Sequence, residues 1–232
     1  MVARLPLEQK MKVRFLPPQH LKIMPLIISK NRAARIFITI SVWGLFISGI
    51  ILLVFPIDWF PRFYDVRFFG WASLLGAAAI LFLPKLIVVK EGSADAGRKN
   101  NAAGLFQIFI AIMLLNNAAG DLGLYQLYKI GFEFDKLIHF GNSLLCAAAV
   151  PVILNKRFGI RFARAIIISF FAVLMGGAIW EIYEYGVDLI WETHIAGIYG
   201  LDVKDDTTRD LLFNSAGAII GALSISAIKL RK

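Results

Sequence analysis

The chain has 232 residues, 58% of them hydrophobic and only 18% charged, and its mean hydropathy is +0.69. A soluble domain carries more charge on its surface, so water is not the main solvent of this chain. Nor does the net charge of +9 make nucleic acid a partner, because the basic residues are scattered between apolar runs and share no surface with groove-reading elements.

Residues 1–34 read as a basic cytoplasmic arm lying partly on the membrane surface. They hold Arg4, Lys10, Lys12 and Arg14 and prolines at 17, 18 and 25, and lack the compact apolar core and small-residue cleavage site of a signal peptide. Residues 35–232 read as one membrane domain. Six apolar runs lie near 36–55, 69–89, 102–120, 137–154, 165–190 and 211–228. Each is long enough, at about 1.5 Å per residue, to cross roughly 30 Å of hydrocarbon. They lack the alternation of barrel strands, and an open strand edge would leave unpaired backbone groups in lipid. The expected fold class is therefore all-α, a polytopic six-span transmembrane helix bundle. The single cysteine, Cys146, sits in the fourth run with no partner for a disulfide and reads as a packing residue.

Nineteen of the 25 basic residues fall on the arm, the second and fourth loops and the tail, while thirteen of the 16 acids fall on the other three loops and the span ends beside them. The first bias is the positive-inside pattern, which puts both termini in the cytoplasm of a multi-pass protein of the cell membrane. The acidic excess on the outer side has no such general explanation.

Helical spacing gathers those acids into stripes. The third span ends in Asn117 and Asp121. In the fourth, Asp135, His139, Asn142 and Cys146 share a face with Lys136 beside them. In the fifth, Glu181, Glu184 and Asp188 share a face with Gly177. In the sixth, Asp206, Asp210 and Asn214 lie over Gly217 and Gly221, whose spacing suits close helix approach. All four stripes occupy the outer halves of their helices, which predicts one shared polar pocket open to the outside, since a charge facing lipid at the bilayer centre costs about 2.5–3.5 kcal/mol.

Structural roles compete with functional ones. Thr207 with Asp210 has capping-box spacing, Asp135 is placed to cap the fourth helix, and Asn142, Asn214 or His139 could simply join helices by hydrogen bonds. Glu181, Glu184 and Asp188 resist that explanation, because they approach a helix carboxyl end, where the dipole disfavours negative charge. The pocket holds seven acids against Lys136 and Arg209, so either a cation binds there or some carboxyls keep their protons.

The segments FDKLIHFGNSLL (134–145), WEIYEYGVD (180–188) and DDTTRDLLFNSAGAIIGA (205–222) resemble the YjdF-type inner-membrane proteins and, more distantly, the VanZ-like superfamily associated with glycopeptide resistance. The resemblance spans about residues 115–225 and implies motif positions at Asp135, Lys136, His139, Glu181, Glu184, Asp188, Asp206, Thr207, Asp210 and Asn214. The chain departs from the VanZ-like pattern at Glu184, where that superfamily carries Gln.

Three functions compete. The first is a metal-assisted or general acid-base hydrolase or transferase acting at the outer leaflet on a lipid-linked or phosphorylated substrate. In it Glu181, Glu184, His139 and Asp210 do the chemistry, while Lys136, Arg209, Asn214 and Asp135 bind an anionic substrate. A divalent cation, if used, falls to Glu181, Glu184, Asp188 and Asp206. The second is a non-catalytic protein that binds a membrane lipid, drug or partner. The third is a proton- or cation-coupled transporter, which ranks lower because the inner halves of the last three spans are nearly all apolar.

Overall fold

The computed structural model describes residues 28–29, 31–60, 66–88, 96–191, 196–197 and 202–230. Most of the expected 1–34 arm lies outside them. Six long helices follow one another: α1 (Arg32–Val54), α2 (Val66–Phe82), α3 (Ala96–Asp121), α4 (Phe134–Phe158), α5 (Phe162–Trp191) and α6 (Val203–Leu230). All six are long and apolar enough to span a membrane, and no strand occurs among the described residues.

Local chemistry sets several helix ends. The amide of Ala34 donates to Asn31 Oδ1 at 3.2 Å, which caps α1. Pro56 drives Phe55 into extended backbone, and α1 stops at Val54. α4 closes on Gly159 at φ 71°, a left-handed cap that glycine adopts without steric cost.

Neighbouring helices run antiparallel. Ile38 and Leu45 of α1 cluster with Ile80 and Ala77 of α2 and with Ala111 of α3, and the side chain of Gln107 in α3 donates to the carbonyl of Ile80 at 3.0 Å. Asn116 of α3 donates to Asn142 of α4 at 3.0 Å. Ala147, Val173 and Ala218 form a second core joining α4, α5 and α6. The start of α1 and the end of α6 therefore lie at one end of the bundle, and the polar stripes gather at the other, called here the polar end.

The most extensive helix pair is α4 with α6, which run parallel. A Cβ on Gly217 would collide with the carbonyl oxygen of Phe140, and one on Gly221 with that of Leu144. The small-xxx-small spacing thus marks a real seam, and lipid-embedded helices associate through such close packing rather than through a hydrophobic driving force.

Helices extend past the apolar runs, most of all at α6, which begins at Val203 rather than near 211. Hydropathy sees only what lipid tolerates, whereas the extra turns carry polar residues that face other helices. One consequence is a correction. Thr207 and Asp210 sit inside α6, not at its cap; Asp202 takes that place, accepting from the amide of Lys204 at 3.2 Å. Likewise Asp135 lies in the first turn of α4 rather than capping it.

Candidate functional site

The D-K-x-x-H spacing puts Asp135 and His139 one turn apart on one face of α4, with Lys136 turned toward α6. Asp206, Asp210 and Asn214 recur every four residues on α6, so parallel packing brings the two stripes to a common height. Lys136 is 2% exposed. Its ammonium donates to Asp135 Oδ2 at 3.2 Å, to Asp210 Oδ2 at 2.8 Å and to Asp206. A lysine has three protons to give, and three carboxylates take them. Below this cluster Ser143 donates to Asn214 Oδ1 at 2.8 Å, while Asn214 Nδ2 has no hydrogen-bond partner.

His139 is buried among acids from three helices. Its Nε2 lies 3.5 Å from Asp135 Oδ1 and 3.6 Å from Asp210 Oδ1, and its Nδ1 lies 3.8 Å from Glu181 Oε1. One ligand atom from each of Asp135, His139 and Asp210 falls within 4.8 Å of the others. Asp210 Oδ1 pairs with the Lys136 ammonium at 2.7 Å, whereas Glu181 Oε1, in an equally buried residue, accepts no hydrogen bond. Thr207 of α6 lies beside the Glu181 carboxylate.

The cluster forms one wall of a cavity of about 310 Å³. Asp135, Asp206 and Asp210 line its polar side, and Asp121 and Glu184 flank them. The opposite wall is apolar and comes from α1, α2 and α3, with Leu45, Phe69, Ala72 and Leu114 among its residues. Tyr125, between α3 and α4, also lines it and donates to Asn117 at 3.5 Å. Burial, and then the neighbouring Asp121 carboxylate, hold the Tyr125 phenol well above its ordinary pKa, so it stays a donor.

Other predicted residues are placed apart from the trio. Glu184 accepts from the indole of Trp180 at 2.7 Å, and Asp188 accepts from the amide of Ala196 at 2.8 Å. Arg209 pairs with Glu133, its side chain 42% exposed, and does not line the cavity. Among the described residues that line the cavity there is no Lys, Arg or His. The two cations expected to hold an anionic substrate are thus both committed to protein carboxylates. Sequence reasoning passed over the apolar wall and Ser143. Its available signal was the run of small residues at Ala72, Ser73 and Gly76 in α2.

No curated protein and no solved structure matches the chain. Residues 43–231 match the family described as "Predicted membrane protein (DUF2238)", the family of the YjdF-type proteins. With that match running over most of its length, the chain belongs to this family of predicted membrane proteins.

Proposed function

We propose that the protein is a metal-assisted hydrolase or transferase of the plasma membrane, working at the outer leaflet on a lipid-linked or phosphorylated substrate and distantly related to the VanZ-like proteins. The charge bias of the loops supports an outward-facing polar end. The observation that carries the reading is the spacing of Asp135, His139 and Asp210. Around a tetrahedral ion with bonds of about 2.0–2.2 Å, neighbouring donor atoms lie about 3.4 Å apart. The imidazole Nε2 meets two carboxylate oxygens at 3.5 and 3.6 Å. Two carboxylates and an imidazole suit zinc or manganese better than a soft ion.

An ion held there supplies Lewis-acid polarisation of an ester or phosphoryl oxygen. The chain's own residues do the remaining work. Lys136 holds the Asp210 carboxylate through both oxygens, at 2.7 and 2.8 Å, and fixes its position. Glu181 Oε1 faces Nδ1 of His139 at 3.8 Å and is the acceptor that would orient the ring on closer approach. Glu184, at the cavity wall, is the carboxylate within reach of a substrate proton, and acts as general base or acid.

Native mass spectrometry of gently solubilised protein tests this. The expected result is one divalent ion per chain, lost in His139→Ala and Asp210→Asn while folded yield holds. A wild-type chain without an ion, or variants that keep it, overturns the reading. A second reading, a non-catalytic binder of lipid, drug or partner, is favoured by the complete use of Lys136, which locks α4 to α6 with no ligand required. Under it, His139→Ala lowers folded yield.

A further inference from the structure

The cavity is lined by both α2 and α5, yet these helices share no packing seam: α2 packs on α1 and α3, and α5 on α4 and α6. Among the described residues nothing packs between them to close the side of the bundle. Ala72 of α2 and Trp180 and Tyr183 of α5 line the cavity and are also exposed. Trp180 lies about 16 Å from the end of α5, and Ala72 about 9 Å from the start of α2, at 1.5 Å per residue. Helix α5, at 30 residues, is about 45 Å long and overruns a hydrocarbon core of roughly 30 Å. Ala72 and Trp180 both fall inside the apolar candidate spans, so a bilayer crossed by those helices sets acyl chains against the opening.

Its walls divide by chemistry. Toward α2 they are apolar; toward α4 and α6 they end on the carboxylates of Asp135, Asp206 and Asp210. A water-soluble substrate entering at the polar end would leave the apolar wall uncovered. A lipid covers both, with its chain along Phe69, Ala72 and Gly76 and its headgroup linkage at Asp206 and Asp210.

We propose that the gap between α2 and α5 is a lateral portal that holds one acyl chain of a bilayer lipid from the leaflet at the polar end. For its chemistry this rests on the catalytic reading above; for binding it does not. The ligand class is then a membrane lipid whose linkage region, not its chain, meets the acidic cluster.

The test starts from wild-type protein in nanodiscs of defined phospholipid, followed by native mass spectrometry. Wild type should keep one phospholipid through detergent removal. Ala72→Trp fills the gap and should cut that retention about tenfold or more, as overpacking costs of this size predict. Leu75→Trp, on the same helix but away from the cavity, should leave it unchanged. In wild type, a phospholipid with a photoreactive acyl chain should label residues 69–76 and 180–183. This last measurement holds even if Ala72→Trp fails to fold. Equal retention in Ala72→Trp, equal loss in Leu75→Trp, or photolabel confined to the outward faces of the helices overturns the portal. An ion present with lipid retention indifferent to Ala72→Trp sinks the portal alone; lipid retention sensitive to Ala72→Trp with no ion sinks the catalytic reading alone.

Discussion

Lys136 is the residue on which the polar end turns. It satisfies Asp135, Asp206 and Asp210 together, and its removal would leave three carboxylates without their cation in a sheltered site. Lys136→Met should destabilise the bundle by about 3–5 kcal/mol, the usual cost of breaking a buried pair from one side. Thermal unfolding in detergent measures it, and adding Asp206→Asn should recover part of the loss. A single variant as stable as wild type would mean that water already reaches the cluster. Much of this site was legible, because the periods of Asp135–His139 and Asp206–Asp210–Asn214 follow from helix geometry alone. Partner choice was not. A sequence shows that Lys136 and Arg209 are cations near acids, but only packing shows Lys136 consumed by three carboxylates and Arg209 turned outward to Glu133.

Among the elements, the α4–α6 seam sets the height at which the two stripes meet. At Gly217 and Gly221 the atoms a methyl group would strike are backbone carbonyls of α4, which cannot swing aside as a side chain can. Gly217→Ala should therefore cost about 1–3 kcal/mol in unfolding measurements. Gly141→Ala, on α4 with open space around its would-be Cβ, should cost nothing. Equal effects at both would indicate helix propensity rather than contact. The Gly-xxx-Gly spacing announced this seam, and the six apolar runs announced the helices. The helix starts escaped, since the first turns of α4 and α6 carry charged residues, and Lys136 and Asp206 are buried against each other instead of in lipid.

For the molecule as a whole, six antiparallel passes leave one charged end and one basic end. With Cys146→Ser as background, single cysteines at Leu122 and Ile130, both exposed at the polar end, should react on intact cells with a membrane-impermeant maleimide. A cysteine at Phe158, exposed at the opposite end, should react only after the membrane is opened. The reverse pattern would turn the bundle over and move the acidic cluster to the cytoplasm. The side opening between α2 and α5 could not be read from the chain at all, because it is a contact that two helices do not make, and local patterns record only contacts that are made.

The ion pairs at the polar end also impose an order on how the protein is made. Lys136 and its partners on α6 are separated by 70 and 74 residues, so when α4 leaves the ribosome the lysine has only Asp135 beside it. Until synthesis reaches Asp210, the fourth helix holds a Lys136–Asp135 pair that α6 does not yet shelter, and such a pair favours the interface over the bilayer interior. Its settling into place then depends on the last helix, and an interrupted chain would carry an exposed polar helix open to quality-control proteases.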